Sequence, residues 1–130
     1  AHGAYTALVS GGFTAITEQV RKALAFDEDR ANTLVIEHGR LTGTVADPIL
    51  DKNAKLSSMH EIATQRSISL QDVAAVGDGA NDIPLLAAAG LGVAFHAKPK
   101  VREAASARID HGDLTALLYL QGYHITNFIA

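Results

Sequence analysis

One stretch of ten residues, 73–82, constrains the fold of this chain more than any other. A short apolar run at 73–76 leads into Gly77-Asp78-Gly79, and Asn81 and Asp82 follow directly. Such a run is typical of a buried parallel strand, and the flanking glycines allow a tight turn with accessible backbone. If a helix follows, the polar residues lie at the carboxyl end of the strand, where open α/β sheets bind ligands.

The polar side chains of this stretch suit a hard, oxygen-loving cation. Asp78 and Asp82 offer two carboxylates, and Asn81 offers an amide oxygen. Mg²⁺ in proteins takes one or two carboxylates and completes its shell with water and phosphate. The stretch therefore indicates a Mg²⁺ site, and the plainer alternative is a strand–turn–helix connection with a polar helix start.

Strand and helix patterns alternate along the chain, which predicts an α/β fold. We expect a Rossmann-like parallel sheet flanked by helices, with one antiparallel hairpin that turns at residues 37–40. Predicted strands cover residues 5–9, 33–36, 41–45, 73–76, 92–95 and 108–110. Predicted helices cover residues 14–25, 52–65, 80–89, 99–105 and 114–120. In the first helix Ile16, Val20 and Leu24 recur every four residues, as in an amphipathic helix.

Composition narrows the class of protein further. With 130 residues, 48% of them hydrophobic, the chain suits a single domain over residues 1–130 with a real core. A net charge of −3 argues against nucleic-acid binding. The longest apolar-leaning run, residues 83–95, is shorter than the ~18–20 residues of a membrane helix, so no membrane partner is expected. The lack of cysteine permits a reducing compartment, and we expect a cytoplasmic protein without a secretory signal.

A second polar loop follows the first predicted strand. Ser10-Gly11-Gly12 precedes a helix, and a hydroxyl followed by glycine N–H groups and a helix start can cradle an anion. The same pattern also suits an ordinary helix start with turn glycines. Lys55 opens a later helix and could supply a positive charge to a phosphate, although Lys52 competes for that role and either could be a solvated surface lysine.

Taken in order, these motifs resemble those of the haloacid dehalogenase-like phosphohydrolases. Ser-Gly-Gly follows a strand, lysine begins a helix, and Gly-Asp-Gly-Ala-Asn-Asp follows a later strand. Within that superfamily the chain is similar to the phosphoserine phosphatase family, through residues 8–13, 47–55, 76–86 and 90–100 and the Leu-Thr-Ala-Leu-Leu run at 114–118. The resemblance covers nearly the whole chain. It implies a Mg²⁺-dependent hydrolase that converts O-phospho-L-serine to L-serine and phosphate in serine biosynthesis.

The resemblance also implies a role for each matching residue. Ser10 and the Gly11 N–H would bind the phosphoryl oxygens, and Asn81 would contact phosphate or substrate. Lys55, which matches the family lysine better than Lys52, would neutralise the aspartyl-phosphate. These roles agree with the demands of phosphoryl transfer, which needs mainly positioning and charge neutralisation.

The metal role falls on the two aspartates. Asp78 would be a direct Mg²⁺ ligand. Asp82 would act catalytically by holding a metal-bound water or by orienting Lys55.

One family motif is missing. The nucleophile of the family lies in an Asp-x-Asp loop upstream of the serine motif, and the only Asp-x-Asp here, Asp27-Glu28-Asp29, follows that motif and is predicted to be a solvated loop. The chain starts at Ala1, and we expect it to be a carboxyl-terminal portion without the nucleophile loop and the cap. The family's central strand would then be absent, so we expect an isolated chain to be unstable, to collapse into another arrangement, or to need the missing N-terminal segment or another chain.

Three alternatives remain open. The chain could be a non-catalytic Mg²⁺- and phosphate-binding fragment, or part of a related phosphatase for another small phosphate ester. The phosphorylation domain of a P-type ion pump carries a similar Gly-Asp-Gly-x-Asn-Asp, but ranks low because no membrane helix is predicted.

His96 follows a predicted strand on the edge of the site, where it could shape the site or be an ordinary loop residue.

Overall fold

The computed structural model describes residues 3–51 and 53–128. The chain divides into two compact units, Ala1–Ser58 and Met59–Ala130, which are described separately. The α/β fold class is confirmed, with parallel sheets, flanking helices and an antiparallel hairpin. The extent of a single domain over residues 1–130 stays a prediction. Among the described residues, no helix is both long enough and apolar enough to cross a membrane.

The first unit contains a parallel strand pair and a hairpin. Its elements are β1 (Ala7–Phe13), α1 (Thr14–Leu24), β2 (Glu28–Asn32), β3 (Leu34–Glu37) and β4 (Arg40–Val45), and the helix α2 (Ala54–Gln65) begins in it. β1 pairs with β2 in parallel, and β3 pairs with β4 antiparallel. The turn predicted at residues 37–40 is confirmed: His38 and Gly39 both have positive φ, 51° and 76°, which is the backbone that a two-residue hairpin turn requires.

Two sequence predictions about this unit were wrong. β1 does not end at Val9 but continues through the Ser-Gly-Gly motif to Phe13. The solvated loop predicted for Asp27-Glu28-Asp29 is instead a bend at Asp27 followed by the first residues of β2. The polar sequence can form a strand because the side chain of Asp29 is bound to the neighbouring helix. Asp29 accepts a hydrogen bond from Thr17 Oγ1 at 2.7 Å and forms an ion pair with Arg21 Nε at 3.0 Å.

The same contacts explain why α1 does not bury its apolar stripe. The helix is present as predicted, but the side chain that it buries is Thr17. Ile16 and Leu24 remain 66% and 67% exposed. The face of α1 that carries Thr17 and Arg21 is the one bound to β2, so the four-residue spacing identified the helix and not its buried face.

The second unit is a three-stranded parallel sheet with short helices. Its elements are β5 (Ala74–Gly77), α3 (Ile83–Ala88), β6 (Leu91–Phe95), α4 (Pro99–Ala104), β7 (Ala107–Ile109) and α5 (Thr115–Leu120), with 3₁₀ turns at Leu70–Asp72, Ala80–Asp82 and Ile125–Asn127. The strand order is β5-β6-β7. Leu86, Val93 and Val101 are almost fully buried and form the core between sheet and helices. Pro84 lies in the first turn of α3, where proline is tolerated.

The register of this sheet places its polar loops on one edge. Gly77 of β5 lies opposite Ala94 of β6, and Phe95 lies opposite Ile109 of β7. Asp78 and His96 therefore follow neighbouring parallel strands at the same end, which is the end where α/β sheets bind ligands.

Candidate active site

The Asp78 loop is formed as the sequence predicts, in the second unit. β5 ends at Gly77, and a 3₁₀ turn at Ala80–Asp82 leads into α3. Asp78 and Asn81 are exposed, whereas Asp82 is only 2% exposed. The structure thus brings these three predicted residues into one loop, with the first two open to a ligand.

The buried carboxylate of Asp82 organises this loop. Its Oδ2 accepts hydrogen bonds from the backbone N–H of Asp78 at 3.1 Å and of Gly79 at 3.0 Å. Charge-assisted bonds of this kind are among the stronger hydrogen bonds in proteins. The metal-bound water or lysine-orienting role given to Asp82 stays a prediction, while its contact with the loop backbone is an additional one that spacing alone could not reveal.

The Ser10 loop is an irregularity of the parallel pair in the first unit. The register of β1 and β2 runs through Val9 opposite Arg30 and then shifts, so that Phe13 lies opposite Asn32. Within the shift, Ser10 Oγ accepts the N–H of Gly12 at 3.0 Å. This turn fixes the oxygen of the hydroxyl as an acceptor and leaves its proton to donate.

Asn32, which no sequence motif indicates, stabilises this loop through its side-chain amide. Its Nδ2 donates to the carbonyl of Gly11 at 3.1 Å, and its Oδ1 accepts the N–H of Leu50 at 2.7 Å. Asn32 is 8% exposed, so its amide is a buried link between the two segments. The only signal in the sequence was an amide at the end of an otherwise charged segment, which does not point to a partner 21 residues away.

Lys55 lies half-buried in the first turn of α2, as predicted. Lys52, its competitor, lies outside the described residues. Met59 and Ala63 of this helix are buried. Ser10, Gly11 and Lys55 belong to the first unit, and Asp78, Asn81 and Asp82 to the second.

The donor set fits a hard cation that binds few protein ligands. Among the described residues, no group of three or more histidine, aspartate or glutamate side chains is arranged to hold a metal. The exposed carboxylate of Asp78, with the carboxylate of Asp82 and the amide of Asn81 in the same loop, instead matches the Mg²⁺ pattern of one or two carboxylates supplemented by water and phosphate.

The two aspartates of the Asp-x-Asp segment are engaged elsewhere. Asp27 Oδ2 accepts hydrogen bonds from the backbone N–H of Thr6 at 2.7 Å and from its hydroxyl at 2.9 Å. Asp29 binds Thr17 and Arg21. Both carboxylates serve the packing of the first unit, which agrees with the interpretation that this segment is not a nucleophile loop.

The fold, the serine loop and the aspartate loop together define a class of protein. The chain belongs to the haloacid dehalogenase-like hydrolases, whose family model matches residues 1–87.

Similar proteins narrow this class. The chain is 46% identical over 120 residues to a phosphoserine phosphatase of Streptomyces coelicolor, a match that covers 92% of the chain and 29% of the relative. It is 43% identical over 118 residues to that of Lactococcus lactis, covering 91% and 55%. A solved structure of a probable phosphoserine phosphatase from Vibrio cholerae in unliganded form superposes with a TM-score of 0.87 at 37% identity, covering 91% of this chain and 36% of that one. The chain thus spans about a third to a half of the length of these relatives.

Proposed function

We propose that this chain supplies the phosphate-binding and metal-binding residues of a Mg²⁺-dependent phosphomonoesterase that converts O-phospho-L-serine to L-serine and phosphate in serine biosynthesis. The observation that carries the proposal is the Asp78 loop, an exposed carboxylate at the carboxyl end of β5 whose backbone is held by the buried Asp82. The names of the similar proteins support the reaction and the substrate. A cytoplasmic location is part of the proposal, and the lack of cysteine suits a reducing compartment.

The Ser10 loop would bind the phosphoryl group. With its oxygen held by the N–H of Gly12, the hydroxyl of Ser10 can donate its proton to a phosphoryl oxygen, and the N–H of Gly11 can donate to another. Lys55 would neutralise the negative charge that accumulates during transfer. Donors fixed before the reaction stabilise such charge without having to reorganise.

The Asp78 loop would bind Mg²⁺ and the substrate. Asp78 would ligate the ion, and Asn81 would contact phosphate or substrate. When bound, the ion supplies a positive charge that orients and neutralises the phosphoryl oxygens. Asp82 would contribute from its buried position, through a metal-bound water or through Lys55.

The nucleophile would come from outside these 130 residues. Among the described strands, β1 pairs only with β2, and β5 pairs only with β6. Strands that pair on one side readily accept another strand. We propose that an upstream segment of the same protein, or another chain, adds the strand that carries the Asp-x-Asp nucleophile. A cooperative thermal transition of the isolated monomer with the family's sheet arrangement would contradict this part.

The test uses a chimera, in which this chain replaces the segment that it matches in the Lactococcus lactis relative. We expect the chimera to release phosphate from O-phospho-L-serine in the presence of Mg²⁺. This activity should stop when EDTA removes the metal. The isolated chain should release no phosphate. Asp78→Asn should lower kcat/KM by about a hundredfold or more, the scale of losing one strong electrostatic contact. Asp72→Asn is the matched control, since Asp72 is an exposed aspartate that precedes β5. Equal activity of the two variants would refute the role of Asp78.

The serine loop has its own matched pair. Ser10→Ala should lower kcat/KM roughly 10- to 100-fold, because it removes one hydrogen bond to a charged group. Ser69 makes the same local turn elsewhere, with Oγ accepting the N–H of Gln71 at 3.2 Å. If Ser69→Ala costs as much activity as Ser10→Ala, the loss reflects a broken turn and not phosphate binding.

Two competing functions give different results in the same experiments. A non-catalytic fragment would bind Mg²⁺ and phosphate by calorimetry, and the chimera would stay inactive. A phosphatase for another small ester would turn over a different member of a substrate panel faster than O-phospho-L-serine. Turnover by the isolated chain, abolished by Asp78→Asn, would show that the nucleophile lies within these residues.

A further inference from the structure

The two glycines that flank Asp78 are each overlaid by a different polar side chain. A Cβ on Gly77 would lie 2.5 Å from both Cβ and Cγ of Asp82 and 2.6 Å from its Oδ2. A Cβ on Gly79 would lie 2.6 Å from Oδ1 of Asn81. Neither glycine has a positive φ, so it is the space around them, and not their backbone conformation, that opposes a larger residue.

The two obstacles differ in how easily they move. Asn81 is exposed, and the atom that blocks Gly79 is the far end of its flexible side chain, which can rotate away. Asp82 is 2% exposed, and the obstacle above Gly77 includes its Cβ, which moves only with the backbone of the 3₁₀ turn. Gly77 is thus fitted to Asp82, whereas Gly79 tolerates a methyl group after a rotation of Asn81.

We infer that Asp82 is a positioning residue that fixes the backbone of the Asp78 loop, and that Gly77 is the residue that makes room for it. The bonds from Asp82 Oδ2 to the N–H groups of Asp78 and Gly79 hold the peptide planes on either side of the Asp78 side chain. The orientation of these two peptide planes determines the direction in which the Asp78 carboxylate projects. This positioning role of Asp82 does not depend on the proposed function. Only the effect of that role on catalysis rests on the proposed function.

The geometry allows this role to be separated from a role of the negative charge. Both N–H bonds end on a single oxygen of Asp82. Asp82→Asn retains one carbonyl oxygen that can accept both bonds, and loses the charge that a metal-bound water or a lysine would need. Asp82→Ala loses both the acceptor and the charge.

The first experiment measures amide hydrogen exchange at residues 78 and 79 in the chimera. We expect Asp82→Asn to retain slow exchange, and Asp82→Ala to exchange roughly tenfold faster or more, as expected for the loss of a hydrogen bond. Asp82→Asn exchanging as fast as Asp82→Ala would overturn the inference.

A glycine pair tests the same inference without changing Asp82. Gly77→Ala should accelerate exchange at both amides, and Gly79→Ala, the same substitution two residues away, should leave the rates close to those of the parent. Equal rates in the two variants would overturn the inference. If Asp82→Ala fails to fold, this pair still decides the matter.

The catalytic consequence has a separate readout. Positioning predicts that Asp82→Asn recovers a large part of the kcat and the Mg²⁺ affinity that Asp82→Ala loses. Equal inactivity of both, with protected amides in Asp82→Asn, would refute positioning as the catalytic contribution. An inactive parent chimera with the expected exchange pattern would instead refute the proposed function and leave the loop role standing.

Discussion

A methyl group added at Gly92 gives the sharpest test of the packing that supports the aspartate loop. Gly92 is buried in β6, opposite Ala75 of β5, and a Cβ there would lie 2.0 Å from the carbonyl oxygen of Leu86 and 2.7 Å from its carbonyl carbon. Ordinary contact begins at 3.4 Å, so the backbone of α3 would have to retreat by more than an ångström. The substitution therefore forces apart the sheet and the helix that follows the 3₁₀ turn of the site.

The expected cost follows from what that movement would disturb. Leu86 is 1% exposed and Val93 0%, so α3 cannot shift without opening the core. Gly92 also exchanges two hydrogen bonds with the hydroxyl of Ser106, at 3.0 and 3.2 Å. Overpacking in a core typically costs about 1–3 kcal/mol, and we expect the upper end because the obstacle is backbone. With a urea m-value of about 2 kcal/mol/M, Gly92→Ala should lower the unfolding midpoint by more than about 1 M.

The assay is urea unfolding of the chimera followed by circular dichroism, with Gly11→Ala as the matched control. Gly11 does not have a positive φ, and a Cβ there would meet nothing within 4 Å. Its replacement should leave the midpoint unchanged or raise it slightly, since alanine restricts the unfolded chain. If Gly92→Ala and Gly11→Ala unfold at the same urea concentration, the close approach of β6 and α3 does not constrain the protein as argued.

Three further predictions follow from other contacts. Asp29→Ala should destabilise the chimera by about 2 kcal/mol, because it leaves the buried Thr17 hydroxyl without its acceptor and breaks the pair with Arg21; chemical denaturation measures this, and a loss no larger than that of Asp72→Asn would contradict it. Leu86→Ala should lower the free energy of unfolding by about 2–5 kcal/mol in the same assay, since the Leu86 side chain is 1% exposed. Leu24 is 67% exposed, and an equal loss of stability in Leu24→Ala would refute the place of Leu86 in the core. The hydrogen bonds from the Thr115 hydroxyl and backbone N–H lower the pKa of Asp113 below its ordinary value of 3.8. The stability that this carboxylate adds is therefore present at pH values above the unfolded pKa of 3.8, and it is lost as the pH falls through the lower pKa of the folded state. Thr115→Val should raise the pKa of Asp113 in an NMR titration, and an unchanged pKa would show that the hydroxyl is not the main cause.

The parts of the structure that the sequence predicted are those in which neighbours along the chain determine one another. The Asp78 loop is built from residues within five positions. The hairpin turn likewise depends on two adjacent residues with positive φ, His38 and Gly39. In each case the residue types carried enough information, because the contacts that fix the backbone are local.

The predictions that failed concern contacts between distant segments. β2 forms from a charged sequence because β1 pairs with it and α1 binds Asp29, and neither partner is visible from the residues of β2. Asn32 escaped notice for the same reason, since its partners Gly11 and Leu50 lie 21 and 18 residues away. The exposed stripe of α1 shows that helical spacing does not determine which face a helix buries once polar contacts hold the other face.

These two kinds of contact bear differently on the proposed function. The bonds that shape the Ser10 turn and the Asp78 loop are made within each loop, so neither requires the added strand that we propose. Added strand pairing would bring the nucleophile and would leave the local geometry of both loops as it is. Slow amide exchange at residues 78 and 79 should therefore tolerate changes to the upstream Asp-x-Asp of the chimera that abolish turnover. A chimera that lost this protection together with activity when that nucleophile was replaced would show that the Asp78 loop depends on the added segment for its shape.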